Sequence, residues 1–285
     1  MAYPQTTTDG EQDHLKALVF QRLHPRIYLE RFVAEDVRPD GRQFSERRDI
    51  SVNVGSISSA DGSSLVRLGN TTIVCGVKAE IAEPELDRPN EGFLVPNLDL
   101  PAMSSPKFKS GPPSEEAQTL SDRLNDVFVS SSLISLQSLC IHPGKAVWVL
   151  YVDATCINYD GNAFDAALIA MVSALKNTFL PKATFNEDTG RTTCSRQTKI
   201  PLQIQKLPTS SSFGVFDSSH IFADPTSFEE PLMDTTLSIV LDDNLQLISV
   251  TQLGLADSGT EDVLSTCIKI AKQHNQNLAD RVYSV

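Results

Sequence analysis

The chain has 285 residues, 40% of them hydrophobic and 21% charged, which is enough apolar content for a substantial core in one large domain or two small ones. Its net charge is −12, the opposite of the basic surplus with which a protein grips nucleic acid unaided, so RNA or DNA binding by the isolated chain is expected to be weak. The cysteines Cys75, Cys140, Cys156, Cys194 and Cys267 are odd in number, widely spaced and mostly inside apolar runs, which speaks for reduced core residues and against a disulfide framework or a zinc site.

No run reaches the roughly 18 apolar residues of a membrane span. The opening stretch MAYPQTTTDGEQDHLK is polar and acidic, unlike a secretory or transit signal, and the expectation is an intracellular chain. Residues 13–36 read as helix, with Leu15, Leu18, Val19, Leu23, Ile27 and Phe32 on one side and a break at Pro25. Residues 37–43, VRPDGRQ, form a turn. From Ile50 to Ile81, β-rich runs separated by turn signals at Ala60-Asp61-Gly62 and Gly69-Asn70 read as an antiparallel meander. Loops at 82–92 and 101–114 follow, and Ser114 then caps a helix whose first turn carries Glu115 and Glu116, favourable to the helix dipole.

A strand at 145–158 runs through an Asp160-Gly161 turn into a helix capped by Asn162, a βα unit that ends at Pro181. The segment 187–198, EDTGRTTCSRQT, is the most loop-like interior stretch and is taken as the division between two halves. Beyond it the order largely repeats, with strands near 199–206, 211–217, 235–241 and 245–253 and a terminal helix over about 259–278. The reading is an α+β (α/β) fold of two βαβα-type halves with mixed sheets packed on helices. Residues 1–36 form an N-terminal helical extension and 37–285 the main domain, its first half ending at about 190 and its second running over 191–285.

Chemistry is less conspicuous. There is no Walker-A loop, dinucleotide fingerprint, nucleophile elbow or zinc-protease helix, and the five histidines lack ligand spacing. Basic clusters at Arg38, Arg42, Arg47 and Arg48, and at Lys107 and Lys109, read first as solvated or interface charges. Asp224, Glu229, Glu230 and Asp234 bracket a strand entry and either gather at a site or form a solvated acidic loop. The turn before the 162 helix is the geometry of an anion site, because the first helical N–H groups are unsatisfied. A cation normally completes such a site, yet the positions in reach are Asn162, Ala163 and Phe164.

Four segments carry a family likeness: RPDGRQFSERRDISVNVGSISSADGSSLVRLGNTTIVCGVKAEI, VPNLDLPAMSSPKFKSGPP, GKAVWVLYVDATCINYDGNAFDAALIAMVSALKN and FADPTSFEEPLMDTTLSIV. Over about residues 26–278 the chain resembles the RNase PH family, and within it the ring subunits of the eukaryotic RNA exosome. The resemblance implies an RNase PH-like fold and a ring of six related subunits around a channel for single-stranded RNA. It further implies S1/KH-type cap subunits as partners, no metal or cofactor, no membrane, and residence in nucleus, nucleolus and cytoplasm.

Active members of that family cut RNA from the 3′ end with inorganic phosphate. They use a phosphate-binding arginine in a Gly-Gly-Thr-Arg turn, a carboxylate general acid and arginines on the RNA backbone. Carried over, the turn falls on Asp160, Gly161, Asn162, Ala163 and Phe164, so a phenyl ring stands at the arginine position and cannot donate charge-assisted bonds. The helix after Ser114 offers Asp122, Asp126 and Val129 with only Arg123 basic, a face expected to repel a phosphodiester. Asp234 matches the family's acidic position, but an acid with no bound phosphate or RNA has nothing to act on. The implied function is a non-catalytic ring subunit that lines the RNA channel and supports 3′-to-5′ processing and degradation, in rRNA maturation and mRNA turnover, with Lys107, Lys109 and Arg123 as RNA contacts. The alternatives are another ring subunit type, a phosphorolytic exoribonuclease whose phosphate is held by other arginines, and a stand-alone small-molecule enzyme, which the missing cofactor motifs disfavour.

Overall fold

The computed structural model describes residues 9–187, 189–254 and 260–282. Helix α1 (Asp9–Leu23) and helix α2 (Pro25–Val33) meet at His24, because Pro25 has no N–H to continue the α1 ladder and suits the first turn of a new helix. The expected break is therefore where the sequence puts it; the first eight residues of the expected extension lie outside the described residues. The expected apolar side is not buried. Leu29 and Val33 pack on Phe216 and Phe222, whereas Leu15, Leu18, Val19, Leu23 and Ile27 stay exposed.

The meander forms as expected, with β1 (Ile50–Val54), β2 (Gly62–Leu68) and β3 (Thr71–Ala82), and a sheet grows on it from β4 (Phe93–Asp99), β5 (Cys140–His142) and β6 (Ala146–Asn158). Its order is β1-β2-β3-β6-β4 with β5 beside β6, antiparallel except where β4 runs parallel to β6. Helix α3 (Glu115–Ser131) starts at Ser114, whose side chain accepts from the Ala117 N–H, and packs on β4. Helix α4 (Ala163–Lys176) follows β6. Its sequence AFDAALIAMVSALK is apolar on nearly every side, and every residue from Ala163 to Leu175 is buried, as expected of a helix enclosed on all faces.

The enclosure has two walls. One side of α4 lies on β2 and β3, where the Ser64 hydroxyl donates to the Ala170 carbonyl. The approach is so close that a Cβ on Gly62 would stand 2.6 Å from the Ala174 carbonyl oxygen. The other wall is a second sheet of order β10-β9-β11-β12, made of β9 (Thr209–Phe216), β10 (His220–Ala223), β11 (Thr235–Leu241) and β12 (Leu247–Gly254), all antiparallel. Helix α5 (Thr260–Val282) packs on that sheet through Cys267 and Ala271; its expected start at residue 259 lies outside the described residues. The α+β class holds, with the mixed character confined to the first sheet.

One expectation fails outright. The loop-like stretch 187–198 is largely strand: β7 (Phe179–Asn186) and β8 (Arg191–Pro201) form a separate two-stranded ribbon closed near Gly190 at φ 65°. Only the first residues of the expected 199–206 strand belong to it, and Ile204 makes an isolated bridge to Ile134. Thr192, Thr193 and Thr198 favour extended backbone, but the described residues along β8 are exposed or half-buried without alternation, so the period-2 signal is absent there, whereas β7 does alternate and buries Leu180. All five cysteines are free; Cys75, Cys156 and Cys267 are buried, Cys140 is half-buried and Cys194 is exposed. Among the described residues no helix is long and apolar enough to cross a membrane.

Candidate anion site at the head of the central helix

The site is set by the chain leaving β6. Gly161, at φ 79°, takes a left-handed conformation with the 225–227 backbone so near that a Cβ would stand 2.6 Å from the Ser227 nitrogen. Asn162 follows at φ 52° and caps α4, its side chain accepting from the Asp165 N–H. This is the expected architecture: a tight turn presenting the first donors of a buried helix.

Two of those donors, the Asp165 N–H through the cap and the Asn162 N–H, are already engaged. The Asn162 N–H donates to Glu230 Oε1 at 2.7 Å, and the Tyr159 hydroxyl donates to Glu230 Oε2 at 2.6 Å. Burial pushes the Glu230 carboxyl above its ordinary range, and burial together with the adjacent Glu230 charge pushes the Tyr159 phenol up as well. A carboxylate from 68 residues away thus sits where an external oxyanion would be received. Nothing in the sequence distinguishes Glu230 from Glu229 beside it, and Tyr159 carries no motif either.

The arginines are engaged too. Arg48 donates to the Asp160 carbonyl at 2.7 Å and to both oxygens of Asp224 at 2.7 and 2.8 Å. Burial alone would raise the Asp224 carboxyl, but the Arg48 bonds and charge outweigh it and hold the group well below the usual carboxylate range. Arg38, fully buried, spans both Glu229 oxygens and donates to the Ala223 carbonyl at 2.7 Å. Arg42 pairs with Asp40 and reaches Asp224. Arg47 is buried with Asp165 3.9 Å away and does not line the cavity described next. The Arg38 and Arg42 side chains are staples between the VRPDGRQ turn and the 223–230 loop, and Arg48, just beyond the turn, ties Asp224 to the Asp160 carbonyl.

A cavity of about 970 Å³ opens at the head of α4. Phe164, 5% exposed, forms part of its wall, and the Arg123 guanidinium lies 4.2 Å over its ring. Arg123 Nε is buried without a hydrogen-bond partner, and burial lowers the basicity of its guanidinium. Lys107 also lines the cavity, with Nζ 2.9 Å from Glu116 and 5.1 Å from the Tyr159 ring centre.

Three sequence-named residues are elsewhere. Lys109 is exposed on the same loop as Lys107 but does not line the cavity. Asp234 stands at the entry of β11, accepting from the Asp217 N–H at 2.8 Å and facing Arg26 at 3.6 Å, outside the lining; a 3₁₀ turn over Glu230–Leu232 separates the two carboxylates, and Glu230 takes the place in the cavity. Asp160 pairs with Arg48 at 3.7 Å and accepts from Ser227. On α3 the cavity face is Glu116, Thr119 and Arg123, one apart from the exposed face of Asp122, Asp126 and Val129.

The two RNase PH domains of the 3′ exoribonuclease family match residues 46–181 and 206–274. The chain belongs to the RNase PH family. Exosome complex component rrp43 of Schizosaccharomyces pombe is 44% identical over 94% of this chain and 98% of its own length. Exosome complex component Rrp42 of Pyrococcus furiosus is 37% identical over 79% of this chain and 80% of its own. A subunit of an Archaeoglobus fulgidus exosome, solved with RNA bound to the active site, superposes at a TM-score of 0.79 and 30% identity, covering 90% of this chain and 96% of that one. This RNase PH chain is homologous to the exosome core components of the protein-43 and protein-42 types, and the identities favour the former.

Proposed function

We propose that this RNase PH-family chain is a non-catalytic subunit of an RNA exosome core ring, acting as scaffold and as part of the wall of the RNA channel. The observation that carries the reading is the Glu230 carboxylate bonded to the Asn162 N–H and the Tyr159 hydroxyl. A phosphate brought to within about 4 Å of that carboxylate meets a repulsion of about 4 kcal/mol at an effective dielectric of about 20. Phe164 supplies no compensating charge, Lys107 is held by Glu116, and Arg123 alone faces three glutamates, Glu115, Glu116 and Glu230, in the lining.

The reading extends to partners and place: related ring subunits and S1/KH-type caps, with RNA in the assembled channel, in nucleus, nucleolus and cytoplasm. Lys107 and Arg123, each beside an aromatic ring in the cavity lining, are its RNA contacts, with Lys109 on the same loop. The test has two arms. Purification of the endogenous chain should bring down other RNase PH-type and cap subunits. Incubation of the isolated chain, or of its ring-partner dimer, with RNA and inorganic phosphate should release no nucleoside diphosphates. Phosphorolysis that persists through repurification and disappears on Asp234→Asn would sink the non-catalytic reading, and the phosphorolytic enzyme would replace it.

A further inference from the structure

A second groove opens on the other side of α3 from the cavity, and the exposed carboxylates Asp122 and Asp126 lie on the helix surface between the two. At Leu98 the helix closes the free edge of β4, the Ser121 hydroxyl accepting from the Leu98 N–H at 2.9 Å while it donates to the Ala117 carbonyl at 2.9 Å. One turn further along α3, helix and strand diverge. A groove of about 490 Å³ opens there, between Asn125, Phe128 and Val129 on the helix and Phe93 and Leu94 on the strand, with Leu136 lining it.

Three properties coincide. First, the strand edge is open at Leu94: by the two-residue period of a strand its N–H and C=O point the same way as those of Leu98, away from β6, and among the described residues no protein group meets them, although on that side the Gly92 N–H is taken by the Leu136 carbonyl at 2.9 Å and Pro96 has no N–H. Second, apolar surface is displayed at the rim, Val129 being 70% exposed and Leu86 99% exposed. Third, the charge around it is mainly negative, with Arg88 a cation in its lining. Asp122 and Asp126 precede Val129 by seven and three residues on the exposed helix face, and Glu83, Glu85 and Asp87 stand on the loop before β4. None of these five carboxylates has an ion-pair partner among the described residues, and the nearby Arg88 is taken up by Glu91 at 3.5 Å.

We propose that this groove is a docking site for an extended basic segment of another protein. The segment adds a short strand along β4 at Leu94, places an apolar side chain among Phe93, Val129 and Leu136, and lays lysine or arginine side chains against Asp122, Asp126 and Glu85. Strand addition supplies main-chain bonds, the groove selects an apolar side chain, and the carboxylates select the sign of its flanks. RNA is a poor occupant, because unpaired carboxylates repel its phosphates. A second copy of this chain is a poor one too, since each copy carries −12.

The full chain, co-expressed with an RNase PH-like partner as a soluble heterodimer, is titrated, by fluorescence anisotropy, into a labelled short peptide of alternating lysine and arginine with one central leucine, and the partner alone serves as the blank. Binding should weaken about tenfold when the leucine is replaced by serine, vanish when the cations are replaced by glutamates, and protect the Leu94 amide from hydrogen exchange. Asp122→Lys with Asp126→Lys should weaken it more than tenfold, and so should Val129→Arg; all three positions are exposed, so the fold is retained. Asp36→Lys with Asp243→Lys, the same charge change elsewhere on the surface, should weaken it far less. Equal weakening by that control pair would make the attraction diffuse and overturn the site. Displacement of the peptide by a single-stranded oligouridylate at the same amides would assign the groove to nucleic acid. Self-association of the heterodimer in light scattering that Val129→Arg abolishes would assign it to a second copy. Either result overturns the proposal.

Discussion

Replacing Glu230 by alanine removes the internal carboxylate from the head of α4 and should turn a self-satisfied cap into an open anion site. Two hydrogen bonds to that carboxylate are lost, from the Asn162 N–H at 2.7 Å and the Tyr159 hydroxyl at 2.6 Å. Each unmet donor costs about 1–3 kcal/mol when dry, but the adjacent cavity admits water and the variant no longer holds a carboxylate whose charged form burial disfavours. The net loss should be about 1–2 kcal/mol, a fall in Tm of roughly 2–8 °C for a chain of this size. Removing a like charge about 4 Å from an incoming oxyanion is worth about 4 kcal/mol, or nearly three powers of ten in affinity. Inorganic phosphate should therefore shift the Asn162 and Phe164 amide resonances of Glu230→Ala at millimolar concentrations and leave the parent protein unshifted. Adding Phe164→Arg to Glu230→Ala should tighten binding further by restoring a charge-assisted donor. Phosphate-induced shifts of equal size in parent and variant, or none in the double variant, would refute the argument that Glu230 occupies the anion position.

Asp224→Asn should cost about 3–5 kcal/mol near neutral pH, because it leaves Arg48 buried without its carboxylate. Since the Asp224 carboxyl is depressed in the folded chain, that advantage should be complete above its ordinary value of 3.8 and decline as pH falls below it; denaturant titrations of parent and variant from neutral to acid pH check both statements. Lys107→Glu with Lys109→Glu should weaken RNA threading in a reconstituted ring and flatten its salt dependence, read by anisotropy across a salt series; an unchanged salt slope would remove both lysines from the RNA path. Expressed alone, the chain should form indefinite oligomers or precipitate, while co-expression with an RNase PH-like partner of the other class should give a defined heterodimer by light scattering. A monodisperse monomer or closed homohexamer without affinity for other ring subunits would contradict the scaffold role.

Local signals in the sequence determined much of this protein, because their causes are local. Pro25 breaks the first helical stretch, Ser114 and Asn162 cap α3 and α4, and the Gly69-Asn70 turn joins β2 to β3, each through bonds or sterics spanning a few residues. The apolar run of α4 foretold burial, and every residue from Ala163 to Leu175 is buried. Strand β8 escaped because the described residues along it are exposed or half-buried without alternation and leave no hydrophobic period. What only the tertiary structure decided is which groups meet. Glu230 rather than Asp234 reaches the head of α4, a difference of four positions settled by a 3₁₀ turn and by contacts across 68 residues. The helix after Ser114 likewise presents Arg123 to the cavity, Phe128 to the opposite groove, and leaves Asp122 and Asp126 exposed between them. A helical sequence fixes the angle between its side chains, but only packing against β4 and α4 fixes which of those angles faces which neighbour.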